Sequence, residues 1–212
     1  MPKLYYFDIY GVAEPIRMLL ALKKVEYEDV RLSFEEQAKL KAEGFFPSGQ
    51  VPVWVGEEGN KFNQSNAIFR FLGAKHGLYP ESLEDRFWAD WAIETKADLW
   101  KGDFYMPFFG KECDEATIKD RVEKTTKFLG QVEHRLKEVG DHHYIAGEHM
   151  TIGDITLFAM LKSIAYNEGI NVAALGEAMR HAVEEHHAVK AWFDRMSETF
   201  AEYLAHRPLR PM

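Results

Sequence analysis

Past the stretch "LYPESLED" (residues 78–85), no part of the chain carries the two-residue period of a strand. Segments near 84–110, 115–139, 151–167, 172–183 and 187–204 all repeat their apolar residues at helical spacing. Before that stretch the period keeps switching. Residues 3–7 are short, apolar and aromatic, as a buried strand should be. Residues 15–22 place Ile16, Leu19 and Leu20 at helical spacing, with Pro15 tolerated in the first turn. A second strand is expected at 26–32, a third at 51–55, a turn at 57–60 and a short returning strand at 61–63. The polar run 35–43 receives no assignment, and 65–75 reads as a helix with Ile68, Phe71 and Leu72 inward. The change of period predicts two units: a mixed α/β layer over 1–77 and an all-helical body over 84–212, joined by a linker at 78–83.

The order βαβ then ββα resembles that of thioredoxin-like domains. The clearest helix start in the second unit is "MTIGDITLFAML", with Thr151 as N-cap and Asp154 closing a capping box. Met150 and Ile155 form the matching hydrophobic staple, so Thr151 and Asp154 read as structural.

Composition removes several function classes. The formal net charge of −8 argues against nucleic acid, which needs a basic face. No apolar run approaches the ~18 residues of a membrane span, and the start lacks a signal-peptide pattern. A single cysteine, Cys113, excludes both a disulfide framework and a C-x-x-C redox pair. The cytosol is the expected setting. Nine histidines invite a metal reading, but "HAVEEHH" has Glu185 where an H-x-x-E-H motif needs histidine. His181 and His186 lie five apart and share a helix face badly, so no metal is expected.

Three features bear on chemistry. "LYYFDIYGVAEP" (residues 4–15) places Tyr5, Tyr6 and Tyr10 just ahead of a helix. Strand alternation puts Leu4 and Tyr6 on one face and Tyr5 and Phe7 on the other, with Tyr6 near the C-terminal end, where open α/β sheets place their chemistry. In "GQVPVW" a proline opens a strand. Were the Val51–Pro52 bond cis, Val51 would turn its N–H and C=O outward, ready to hold an extended peptide. "NQSNAIFRFL" sets Ser65 at or beside a helix N-cap, where free N–H groups and the dipole favour a carboxylate or phosphate.

Together these positions resemble the cytosolic glutathione transferases. The tyrosine ending the first strand, the Val-Pro, the Gln-Ser-Asn-Ala-Ile helix start and the Thr-x-x-Asp box all fall in that family's order. "YFDIYGVAE" and "ETKADLW" look most like the sigma class, which includes glutathione-dependent prostaglandin D isomerases. The resemblance implies that Tyr6 is the catalytic tyrosine and that Val51, with Gln50 and Pro52 beside it, pairs with the cysteinyl backbone of glutathione. It implies that Gln64 and Ser65 hold the γ-glutamyl carboxylate, and that Asp98 reaches from the partner of a homodimer toward the γ-glutamyl amine. Two positions depart from the pattern. Val12 stands where the sigma class often has arginine. The family's Trp and Lys at the glycyl carboxylate have no clean match, leaving Lys41 and Lys39 as candidates, with Lys41 preferred.

The chemistry of a thiol explains the tyrosine. A free thiol has a pKa of about 8.5, so little of it is ionised at neutral pH. A phenol that stays protonated can donate to the developing thiolate, which makes Tyr6 a donor and not a base. The nucleophile belongs to glutathione, so no cysteine of the chain is required. The second substrate is then a small hydrophobic electrophile. Tyr10 is expected to line its pocket and Tyr5 to be core. Trp100, Phe104 and Tyr105, at roughly helical spacing in "DLWKGDFYMPFF", serve either as pocket wall or as core. "HRPLRPM" (residues 206–212) is a further neighbour of the pocket rim that pattern alone does not place. The competing readings are a non-catalytic binding or structural module on the same fold, and a glutathione-dependent prostaglandin isomerase.

Overall fold

The computed structural model describes residues 1–101, 104–109, 113–140, 143–170 and 172–212, with the backbone alone at 108 and 109. The chain opens with β1 (Lys3–Phe7), α1 (Glu14–Leu22) and β2 (Glu28–Leu32). The α1 crossover lets β1 and β2 pair in parallel, with Tyr6 opposite Arg31. Next come α2 (Phe34–Ala42), β3 (Val53–Val55), β4 (Lys61–Asn63) and α3 (Ser65–Lys75). β3 runs antiparallel to both β1 and β4, which gives a mixed four-stranded sheet in the order β2-β1-β3-β4.

The polar run at 35–43 is α2. Its start is a capping box: Ser33 Oγ accepts from the Glu36 amide at 3.1 Å, and Glu36 accepts from the Ser33 amide at 2.8 Å. The helix buries none of its residues, so no apolar period announces it. Within α3 the inward aromatic is Phe69, not Phe71. Phe71 is 42% exposed and stacks on Phe62, with ring centroids 4.8 Å apart.

All further helices follow the sheet: α4 (Leu83–Leu99), α5 (Glu115–Val139), α6 (Ile152–Ile164), α7 (Ala173–Glu185), α8 (His187–Thr199) and α9 (Ala201–His206). The single helix expected near 84–110 ends at Leu99 and is followed by a 3-10 turn at Met106–Phe109. Residues 102, 103 and 110 of that expected helix lie outside the described residues. The run 187–204 is two helices, parted at Phe200. Among the described residues no helix is long and apolar enough to cross a membrane.

α6 is the axis of the second unit and is almost wholly buried. Asp154 anchors its start, accepting from the Ile145 and Thr151 amides at 2.9 Å each and from Trp192 Nε1 on α8 at 3.0 Å. That satisfies the buried carboxylate and bears out the capping box. One hydrophobic core runs through both units, from Leu4, Ile16 and Leu72 to Ile152, Phe158 and Trp192. α3 and α6 approach through a bare glycine: a Cβ on Gly73 would stand 2.5 Å from Ile152 Cγ2. The Ile152 amide also bonds Leu78 O at 2.9 Å across the linker. A smaller core under α2 holds Leu32, Phe46 and Val53, with Tyr5 packed on Phe45 at 4.9 Å.

Candidate active site

Val53 is the point around which the site assembles, because it pairs with Tyr5 on one side and Asn63 on the other. Tyr6 lies one residue beyond Tyr5, Val51 two before Val53, and Gln64 and Ser65 directly after Asn63. Antiparallel pairing therefore brings Tyr6, Val51, Gln64 and Ser65 to a single end of the sheet.

Tyr6 is 7% exposed, and its hydroxyl oxygen accepts from the Val12 amide at 3.3 Å. Among the described residues no protein acceptor takes its O–H. Burial pushes the phenol above its ordinary pKa, against the lowering pull of the Val12 bond and of Arg17. It therefore stays protonated at neutral pH. The turn that delivers the Val12 amide depends on Gly11, whose φ is +46°. A Cβ there would stand 2.5 Å from the Tyr6 hydroxyl oxygen, so side-chain bulk at 11 is excluded.

The Val51–Pro52 bond is cis, the condition set by the sequence reading. Among the described residues neither the N–H nor the C=O of Val51 has a backbone partner. Pro52 is buried and Gln50 is exposed. Gln64, not Ser65, occupies the N-cap of α3, with φ +72° and ψ 108° and no side-chain cap bond. A non-glycine residue in the left-handed half of backbone space costs about 1–3 kcal/mol and concentrates where function needs a fixed orientation. Ser65 is the first helical residue, so its hydroxyl stands beside the free N–H groups of the first turn. Lys41 lies along this edge: its Cε is 3.2 Å from the position of a Cβ on Gly49. Lys39 is exposed on the same helix.

The expected second-pocket residues divide. Tyr10 does not face an open pocket. It is 1% exposed, and its hydroxyl donates to Pro208 O at 3.1 Å and accepts from the Arg210 amide at 3.3 Å. The Arg207 guanidinium lies 4.1 Å from its ring centre. Segment 207–212 thus clasps the turn after β1, reinforced by Arg210 to Asp8 at 2.7 Å and Arg207 to Glu14 at 2.6 Å. Phe104 is core, 1% exposed, with its carbonyl held by Arg121 at 3.1 Å. Tyr105 is half-buried and near enough to Tyr6 to raise its pKa. Trp100 borders a small cavity of about 10 Å³ shared with Gly11, Val12, Lys96, Ser163 and Met212. Asp98 is exposed and ion-paired with Lys101.

Of the segment 206–212, which pattern alone left unplaced, Met212, 1% exposed, lines the cavity. Lys96 escapes the sequence reading. Lys96 is 6% exposed, and burial pushes its amine down to about 8. A signal for Lys96 existed, because Ala89, Ala92 and Ile93 form the buried stripe of α4 and position 96 continues it.

Glutathione S-transferase family models match both units: the N-terminal domain over residues 2–74 and the C-terminal domain over 97–199. The chain is 37% identical over 161 residues to glutathione S-transferase P of Caenorhabditis elegans, covering 75% of this chain and 74% of that one. The chain belongs to the glutathione S-transferase family. Among solved family structures, a glutathione S-transferase from Ascaris lumbricoides aligns over 100% of both chains with TM-score 0.84 at 25% identity. A prostaglandin synthase D of Nilaparvata lugens aligns over 98% of both, with TM-score 0.76 at 26% identity. The fold is accordingly that of a glutathione transferase, a thioredoxin-like sheet domain followed by a helical one.

Proposed function

We propose that this transferase conjugates the thiolate of glutathione to small hydrophobic electrophiles, with Tyr6 donating its hydroxyl proton in a hydrogen bond to the sulfur. One observation carries the reading. The Tyr6 oxygen is already occupied by the Val12 amide, its O–H meets no acceptor among the described residues, and burial keeps it protonated. Lowering the thiol pKa by about 2 units requires about 2.7 kcal/mol, and a hydrogen bond to a charged acceptor supplies about 1.5–3 kcal/mol.

In this reading the free N–H and C=O of Val51 hold the cysteinyl backbone of the tripeptide as an added strand. Gln64 and Ser65 hold the γ-glutamyl carboxylate at the α3 N-terminus, and Lys41 reaches the glycyl carboxylate. Asp98 acts across a homodimer on the γ-glutamyl amine. Phe71, 42% exposed and stacked on the half-buried Phe62, and Phe87, 59% exposed, supply apolar surface for such an interface. The test is the thiolate absorbance of bound glutathione. A sulfur that ionises well below the free thiol supports the enzyme, whereas a bound thiol that titrates like free glutathione supports a non-catalytic module. Prostaglandin endoperoxide isomerisation is the second reading, favoured by the structural neighbour from Nilaparvata lugens. It uses the same thiolate.

A further inference from the structure

The turn that ends α1 puts a lysine where glycine costs least. Lys24 has φ +51°. Its amide bonds Ala21 O at 3.0 Å and the Val25 amide bonds Leu20 O at 2.9 Å, the paired bonds of a turn whose left-handed residue is usually glycine. The Lys24 side chain is exposed and has no ion-pair partner among the described residues. It borders a cavity of about 530 Å³ between α1, β2 and α9, within the size range of small-molecule sites. Arg17, Arg31 and Arg207 border it too, with Tyr27 and Tyr203, which concentrates positive charge in a chain of net −8.

These arginines are only partly neutralised. Four guanidiniums, of Arg17, Arg31, Arg207 and Arg210, share three carboxylates, of Asp8, Glu14 and Asp29. One positive charge is left over, and Lys24 adds a second. Glu202, the lining carboxylate outside that set, is exposed, where solvent screens it. Donors are left over as well. The Arg207 side chain is 7% exposed, and among the described residues only its Nη1 meets an acceptor, Glu14. Arg31 bonds Asp29 and Asp8 through Nε and Nη1, which leaves Nη2. Nη2 of Arg17, whose side chain is 1% exposed, is buried without a partner. The Tyr27 hydroxyl has no protein partner among the described residues, and burial holds the phenol above its ordinary pKa, so it remains a donor. Buried donors without acceptors are unfavourable, and an anion offsets that cost.

We propose that this cavity binds the phosphate group of a small phosphomonoester, with Lys24, Arg31 and Arg207 around the phosphate and the organic group against Tyr27 and Tyr203. The donors converge from the α1 turn, from β2 and from the end of α9. That arrangement suits the tetrahedral oxygens of a phosphate better than the two coplanar oxygens of a carboxylate. A phosphomonoester carries about −1.5 to −2 charge at neutral pH, which matches the surplus. None of Tyr6, Val51, Gln64 or Ser65 borders the cavity, so the site stands apart from the transferase reading.

The experiment is calorimetric titration of the chain with phenyl phosphate at neutral pH, with and without saturating glutathione. Binding should saturate at one per chain and be unaffected by glutathione. Lys24→Gly should weaken it roughly tenfold, while the unliganded variant melts no lower than wild type, because glycine suits the turn. Lys23→Gln, one residue away and outside the cavity, should bind like wild type. Inorganic phosphate should bind more weakly than phenyl phosphate, and benzoate more weakly still. Wild-type affinity in Lys24→Gly overturns the site, and so does displacement by glutathione, which would put the anion at the α3 N-terminus. Inorganic phosphate or benzoate binding as tightly as phenyl phosphate overturns the ligand class. Should Lys24→Gly not fold, Lys24→Gln, which removes the charge alone, must weaken binding in the same direction.

Discussion

The amide of Val12 donates to the hydroxyl oxygen of Tyr6 at 3.3 Å. That bond fills one acceptor position of the phenol oxygen and leaves its O–H, which no acceptor among the described residues takes, to donate to a ligand. Removing the hydroxyl by Tyr6→Phe should lower kcat/KM roughly ten- to hundredfold at neutral pH, from the loss of about 1.5–3 kcal/mol. The absorbance of bound thiolate should then appear at higher pH. Tyr5→Phe is the control, since Tyr5 packs on Phe45 beneath α2. Equal thiol titrations in wild type and Tyr6→Phe would reassign the donor.

Ser65 tests the glutamyl end. Its hydroxyl sits in the first turn of α3 with the free amides, so Ser65→Ala should raise the KM for glutathione by roughly tenfold, about 1.4 kcal/mol, through loss of a charge-assisted bond. Thiol ionisation in the saturated complex should barely move. Calorimetric titration showing wild-type affinity would remove Ser65 from the site.

A homodimer is the expected assembly. Light scattering at micromolar concentration should give twice the chain mass, and Phe71→Asp should shift the protein toward monomers. A wild-type monomer with full activity would rule out any role for Asp98 in trans.

Lys96 makes a prediction about stability that is independent of substrate. Its amine falls from 10.5 to about 8 on folding, so the folded chain binds fewer protons than the unfolded one between those values. Stability should therefore rise with pH across that window, the full penalty of about 3 kcal/mol being present below pH 8. Burial raises Tyr6, Tyr27, Tyr203 and Tyr166, the last to about 12, and their contributions run the other way, being lost as pH climbs beyond 10. The difference between wild type and Lys96→Met isolates the lysine. The variant should melt higher at pH 7, by about 1–3 kcal/mol of unfolding free energy, and the gain should shrink toward pH 10.5. A variant that melts lower at pH 7 would mean the ammonium has a favourable partner.

Much of this fold is legible in the chain. β1, α3 and α5 declare themselves because each buries one face and its apolar residues keep the period of that face, whereas β4, which buries none of its three residues, is legible only from the turn before it. α2 does not, since it buries no residue and its only local signal is the Ser33–Glu36 box. Phe71 misleads for a related reason: helical spacing allows either Phe69 or Phe71 inward, and only the approach of β4 decides between them. Tyr6, Val51 and Ser65 are readable through their order along the chain. The pairings of Val53 that bring them together are not. Tyr10 fails because its partners, Pro208 and Arg210, lie about 200 positions away. Contacts so distant in sequence leave no local pattern.

The bare face of Gly73 against Ile152 sets a rule for recombining related chains. Because α3 meets α6 with no room for a methyl group, and the Ile152 amide is bonded to the linker carbonyl of Leu78, the sheet half and the helical half are shaped to each other. A chimera that joins this sheet domain to helices carrying another residue at position 152 keeps the glycine without its matching isoleucine, leaving a gap or a clash at the seam. Such hybrids become interchangeable only when the pair travels together, so the unit of inheritance here is the junction, and not either half.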